Sequence, residues 1–276
     1  MIKVPKIWGI HAEPPKSLRI VLALLPFVLL IAVYVLISHL RLAENPDDKL
    51  TPSLAKMMES MIRMAFTEDP RSGEYLLWLD TISSLKRLLT GLSLAAVGGL
   101  FIGINMGLFP GLRVAALPLI IFLSIIPPLS LLPILFIIFG ADEFGKIMLI
   151  FLGNVFMVIR LVYQETQDIP KERIVKALTL GASQLQVAYQ VILPQIFPKL
   201  LDIVRNCLGP AWLFLIAAEA IASTDGLGFR IFLVRRYLAM DVIIPYVLWI
   251  TFLGYAMDNL LSRFIRWRYP WYIATR

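Results

Sequence analysis

Residues 170–198 read PKERIVKALTLGASQLQVAYQVILPQIFP and form the longest polar interruption in the second half of an otherwise apolar chain. Asp168 and Pro170 make a helix start, with Glu172 in the first turn, where a negative charge suits the aligned amide dipoles. Ile174, Ala177 and Leu178 then fall on one face. Gly181 interrupts that helix, and Ser183 followed by Gln186 has the form of a capping box opening a second one, which Pro194 is expected to end. The pattern predicts two short helices bent about Gly181, too polar to cross a bilayer and flanked by segments that can.

Composition agrees with a membrane setting. The chain has 276 residues, of which 59% are apolar and 16% charged, and its mean hydropathy is +0.79. Soluble domains carry far more charge. The formal charge of +7 would point to nucleic acid in a soluble protein. Here Lys and Arg mostly flank apolar spans and serve as topology signals, so no nucleic-acid partner is expected. A single cysteine, Cys207, excludes an internal disulfide and a thiolate metal cluster and reads as a small apolar filler.

The spans are expected as follows. A basic segment, 1–19, precedes an apolar run from Ile20 to Leu40 that has the length of a crossing. Residues 41–87 are polar and mixed in sign, with Leu54, Met57, Met58, Met61, Ile62 and Ala65 at helical spacing, so an amphipathic helix lies along the outer face. A second span covers about 88–109, with Ala95, Gly99, Gly103 and Gly107 in one stripe where another helix can approach closely. The third, about 114–139, is broken by Pro118, Pro127, Pro128 and Pro133, and such breaks mark either a transport path or an ordinary kink. Residues 140–146 imitate a phosphate loop, but Ile147 stands where a hydroxyl must ligate magnesium, so they read as the outer turn before a fourth span at about 147–163.

Asn154, deep in the fourth span, either bonds a neighbouring helix or lines a path. The fifth span, about 208–224, holds Trp212 and Glu219. A carboxyl at that depth needs a partner inside the bundle, so Glu219 is either functional or a buried structural bond to a helix such as the one holding Asn154. Arg230, Arg235 and Arg236 then form an outer polar segment, against the positive-inside tendency, and either meet an acidic partner or solvate the loop. The sixth span, about 242–261, runs into a basic, aromatic tail at 262–276. The charge tally places both termini and the bent segment, 164–207, in the cytoplasm.

The bent segment resembles the signature loop of permease subunits of binding-protein-dependent ABC transporters: Glu-Ala-Ala, three residues, Gly, nine residues, Ile, one residue, Leu-Pro. Ala177, Gly181, Val191 and Leu193-Pro194 take those places, while Val175 and Lys176 replace the Glu and first Ala. Beyond the loop the chain is similar to permeases of the nitrate, sulfonate and taurine importer group in Ser84 to Arg87 followed by Gly91, in IPPLSLLPI at 126–134, in Gly140 and Lys146-Ile147, in Ala218-Glu219 and in Gly226-Leu227-Gly228. The resemblance implies an all-α protein of six transmembrane helices with the type I importer fold, in a bacterial inner membrane. It implies a second copy of the permease, a cytoplasmic ATPase dimer that holds ATP and Mg, and a periplasmic or lipid-anchored binding protein. No cofactor is expected in this chain. The coupling residues would be Glu172, Lys176, Ala177, Leu178, Gly181, Ala182, Ser183 and Gln186, with Glu172 or Lys176 standing in for the missing Glu. The path would involve Pro127, Pro128, Asn154, Trp212 and Glu219, and the three arginines would meet the binding protein.

A stand-alone channel or ion-coupled transporter would use Glu219 as its proton carrier, and calls for several intramembrane charges and an inverted repeat that the sequence does not display. An enzyme is excluded on other grounds: the histidines are His11 and His39 alone, and no nucleophile triad or metal-ligand set accompanies them, so no catalytic or metal residue is assigned. The solute remains open among nitrate, sulfonates, taurine and related nitrogen compounds.

Overall fold

The computed structural model describes residues 15–46, 48–70 and 73–274. The basic stretch at 1–14, with Lys3, Lys6 and His11, and the terminal Arg276 lie outside them. Helix α1 (Lys16–Glu44) is apolar along its middle, with charged residues at both ends, and leaves nearly all of its side chains exposed. It is tethered near its end: the Tyr34 hydroxyl donates to the Pro52 carbonyl at 2.7 Å and Ser38 Oγ to that of Thr51 at 2.9 Å. Helix α2 (Leu54–Phe66), capped by Ser53, is the expected amphipathic helix. It packs on the bundle through Met57 and Ala65, and Ser60 Oγ donates to Asp241 at 2.6 Å.

The bundle proper consists of α3 (Leu76–Leu108), α6 (Glu143–Gln167), α9 (Leu193–Ala222) and α11 (Met240–Arg268). The tightest seam is α3 on α6, and the glycine stripe explains it. A Cβ at Gly103 would stand 2.7 Å from Val162 Cβ, and one at Gly99 2.5 Å from Val158 Cγ1, so any side chain there would force the helices apart. Gly91 against Ile150 and Gly107 against Thr166 extend the seam to both ends.

Between α3 and α6, α4 (Pro110–Ile125), a short 3₁₀ turn (Pro128–Leu131) and α5 (Leu132–Phe139) form an apolar pair bent by 85° at the break. The prolines divide the work. Pro118 is accommodated inside α4, whereas the break falls at Ile126-Pro127, because the residue before a proline is pushed out of the helical region. Counting the bent pair, the described residues hold six helices or helix pairs long and apolar enough to cross a membrane. The remaining elements are α7 (Lys171–Thr179), α8 (Gln184–Gln186), α10 (Leu227–Arg235) and α12 (Pro270–Ala274).

Two expectations about boundaries need correction. The helix that carries the second span begins at Leu76, ahead of residue 88, because Asp80, Thr81, Ser84 and Arg87 are buried partners inside the bundle and not residues of a solvated loop. Nor does Pro194 end a helix. Residues 187–192 form a π turn in which the Leu193 N–H bonds back five residues to Ala188, and Pro194 then falls in the first turn of α9, where its missing N–H is not needed. The result is a continuous rod from Gln184 to Ala222.

Candidate functional site

Two regions at opposite ends of the bundle carry the polar chemistry. The first is built around Arg87, 2% exposed. Asp80, Ser84 and Arg87 lie on one face of α3 at helical spacing, a polar stripe that a hydropathy reading takes for loop. Arg87 Nε and Nη2 fork onto both oxygens of Glu143 at 2.6 and 2.7 Å. Nη1 donates to Glu219 Oε1 at 2.8 Å and to the Asp225 carbonyl at 3.0 Å, and Nη2 also reaches the Asp225 carboxylate. Every N–H of the guanidinium is thus used. Lys146 adds a bond to Glu143 at 2.7 Å and one to Ser223 at 3.1 Å.

Glu219 has no exposed surface. Its carboxylate accepts from Ser84 Oγ at 2.8 Å, from Arg87 and from the Gly228 N–H at 2.8 Å. Its partners therefore lie on α3 and in the Gly-Leu-Gly turn, not on the helix face of Asn154. The turn is the second half of the cluster. The N–H groups of the N-cap Gly226 and of the first two residues of α10, unpaired by the helix itself, go to Asp80 (Gly226, 2.9 Å), Ser84 Oγ (Leu227, 2.8 Å) and Glu219 (Gly228, 2.8 Å). Gly226 has φ +116°, and a Cβ there would stand 2.5 Å from the Glu219 carboxyl, so only glycine permits the approach. Asp80 also accepts from Arg230 Nε at 2.8 Å and from the Tyr246 hydroxyl at 3.2 Å, which brings in α11. Arg230, expected either to meet an acidic partner or to solvate the loop, turns inward instead, because Asp80 would otherwise be a buried charge without a cation.

The second region is the bent segment. α7 ends in a Schellman motif: the Ala182 N–H bonds to the Ala177 carbonyl at 3.1 Å and the Gly181 N–H to that of Leu178 at 3.0 Å, with Gly181 at φ +90°. The capping box is formed as expected, Ser183 Oγ accepting from the Gln186 N–H at 3.3 Å and Gln186 Oε1 from the Ser183 N–H at 2.7 Å. Ile174, Ala177 and Ala182 pack on the core. Leu178 does not share that face and is exposed, as are Glu172, Lys176, Val175, Leu185 and Tyr189; Leu180 at the apex is 88% exposed. Arg173 bonds Gln195, which ties α7 to α9, and Lys199 pairs with Glu165 at 2.5 Å, which ties α9 to α6 beside the elbow.

The expected path residues are not gathered into one site. Pro127 is exposed and Pro128 half-buried at the break in the bent pair. Asn154 is buried, and its Nδ2 donates to the Ile150 carbonyl of its own helix at 2.7 Å, while Oδ1 has no partner. Trp212 Nε1, also buried and unpaired, faces Gly254 on α11. Arg235 and Arg236 are exposed at the end of α10. Cys207 is fully buried among apolar neighbours.

This arrangement, a bent apolar pair, a helical bundle and an exposed two-helix elbow, defines a class. The family described as "Binding-protein-dependent transport system inner membrane component" matches residues 95–269. The chain is 31% identical over 258 residues to the taurine transport system permease protein TauC of Escherichia coli, covering 94% of this chain and 92% of that one. It is 32% identical over 197 residues to the bicarbonate transport system permease protein CmpB of Synechococcus elongatus, covering 71% of this chain and 69% of the relative. The fold is similar to a chain of the MetNI methionine ABC transporter in inward-facing conformations, with TM-score 0.62 at 20% identity over 70% of this chain and 95% of that one. The chain belongs to this family of inner-membrane components, and its function is that of the membrane-spanning permease of an ABC importer.

Proposed function

We propose that this chain is the non-catalytic half of a homodimeric permease in a bacterial inner membrane, driven by ATP and Mg held on a partner ATPase. The elbow between α7 and α8 would be the coupling element. The observation that carries this reading is the exposure of Val175, Leu180 and Leu185 on a segment whose backbone is fixed by a Schellman motif and a capping box. A rigid knob with bare apolar side chains is suited to seat in a groove of another polypeptide. Basic residues concentrate at the same end, Lys171, Arg173, Lys176, Lys199, Arg263, Arg266 and Arg268, which supports a cytoplasmic elbow and C-terminus. On this view 41–75 is a periplasmic connection and the opposite face, with Arg235 and Arg236, receives a binding protein.

The solute proposed is a small, oxyanion-bearing molecule, on the strength of the taurine and bicarbonate relatives. An ion-coupled transporter using Glu219 has less support, since that carboxylate is fully buried and taken up by Arg87, Ser84 and Gly228. Leu180→Glu tests the coupling role. The side chain touches little, so insertion and melting temperature should not change, whereas uptake should drop about tenfold or more, the loss of a contact residue at an interface. Gly181→Glu should do the same with added backbone strain. Uptake undisturbed by both would remove the coupling role from the elbow.

A further inference from the structure

The elbow is stiff in itself, held by the Schellman motif and the capping box, but the backbone that joins it to α9 is of another kind. Residues 187–192 form a π turn, a rare conformation that holds one residue more than a regular turn and recurs at functional sites. The buried residues of the stretch show why it forms. Ala188, Ile192, Ile196 and Leu200 all lie in the core at 5% exposure or less. At about 100° per residue, a regular helix would carry Ala188 about 120° away from Leu200, twelve positions on; taking one residue out of the count brings the two within about 20°. The π turn therefore absorbs one residue, and Tyr189 and Gln190 lie on its exposed side.

The bonding is as permissive as the geometry. Pro194 and Pro198 have no N–H, so a regular helix through this stretch would leave the Gln190 and Pro194 carbonyls without a helical partner. The π register and the regular one thus differ little in the backbone bonds they make, and a segment with two near-equal arrangements is where a helix bends. One side chain spans the junction. Gln195, on α9, accepts from Arg173 of α7 through Oε1 and donates through Nε2 to the Val191 carbonyl of the π turn at 2.6 Å.

We propose that the π turn is the joint on which the elbow moves against α9, and that Gln195 is the latch that holds the joint in the register seen here. This rests on the coupling role proposed for the elbow and names where motion enters the bundle. Beyond Pro198, α9 continues as a helix packed into the core, so a displacement at Leu180 bends the backbone at 187–193 before it moves the rest of the rod. Gln195 acts through the Val191 carbonyl and Arg173, as a positioning residue.

The test uses the permease with its ATPase in phosphatidylethanolamine–phosphatidylglycerol nanodiscs, followed by hydrogen exchange and by ATP hydrolysis. The amides of 191–193 should exchange faster than those of 200–207, and their rate should differ about fivefold or more between the nucleotide-free and the vanadate-trapped complex. Gln195→Leu removes the latch, so exchange at 191–193 should quicken about fivefold, as the loss of one hydrogen bond allows, with the melting temperature unchanged. Deleting Gln190 removes the extra residue while keeping the core face in phase. The melting temperature should then hold or rise, whereas ATP hydrolysis should fall about fivefold or more, as expected of a hinge that is fixed. The proposal is overturned if 191–193 exchange like 200–207 in both states, if Gln195→Leu exchanges like wild type, or if the deletion hydrolyses ATP at the wild-type rate. A deletion that lowers the melting temperature, as a broken helix would, overturns it as well. Should Leu180→Glu leave uptake intact while 191–193 still respond to nucleotide, the coupling reading falls and the joint stands.

Discussion

Two arginines, one at each end of the bundle, do the same job in different surroundings. Arg87 joins Glu143, Glu219 and Asp225, and its side chain is 3% exposed. Arg205, on α9 at the elbow end, joins Asp258 of α11 at 2.8 and 3.1 Å and Asp202 at 2.9 Å, and its side chain is 26% exposed. The Tyr272 hydroxyl of α12 completes that group with a bond to Asp202 at 2.9 Å. The contacts are alike in length but not in number, five at Arg87 and three at Arg205, and their surroundings separate them further. A charge removed from water leaves its partner stranded when it is deleted, whereas water replaces a missing partner at the surface. The Arg87 end is therefore committed to one arrangement, and the elbow end is joined by ties that water can loosen.

Breaking the comparison starts at the buried end. Arg87→Met should destabilise the protein by about 3–5 kcal/mol, because Glu219 is left as an uncompensated buried charge. Chemical denaturation in detergent should show this, and Arg87→Met with Glu219→Met should recover a good part of the loss, since the two deletions share one interaction. Next is Ser84→Ala, which strips the Leu227 N–H of its acceptor and Glu219 of a donor. A loss of about 1–3 kcal/mol is expected by the same measurement. At the other end Arg205→Met should cost only about 0.2–1 kcal/mol, and the difference from wild type should shrink at high salt. A large, salt-independent loss there would erase the contrast between the two ends.

The smallest effect lies off the bundle, in the tether between α1 and α2. The Asp48 carboxyl is held below its usual value by the Leu50 N–H, against some desolvation, with help from the Thr51 hydroxyl and the Arg41 guanidinium. A depressed carboxyl contributes stability above its unfolded value that disappears as pH falls through the folded one. Hydrogen exchange at 48–51 should therefore be level from neutral pH down to about 4, apart from its intrinsic pH trend, and protection should be lost below that. Asp48→Asn should remove the step.

What could be read from the chain alone follows from how local each signal is. The Schellman glycine and the capping box use residues within a few positions of one another, and Gly181, Ser183 and Gln186 took up the expected bonds. The glycine stripe on α3 gave its own periodicity, though not its partner, α6. Arg230 was misread because the residue that pulls it inward, Asp80, lies 150 positions away. Asp80 in turn was hidden because a polar stripe on an apolar helix lowers hydropathy as a loop does. Even Glu219, singled out for its depth, found its cation in Arg87, 132 positions earlier.

Local chemistry thus decided that the chain spans a membrane as kinked and unkinked helices, that an elbow interrupts them, and where that elbow turns. Those outcomes depend on hydropathy, on backbone preferences and on bonds between near neighbours, all written in consecutive residues. The tertiary structure decided which charges are buried and with whom. A carboxylate and a guanidinium carry the same sequence code in solvent and in a core; only the packing of α3, α6, α9 and α10 removes the water that would otherwise have been their partner.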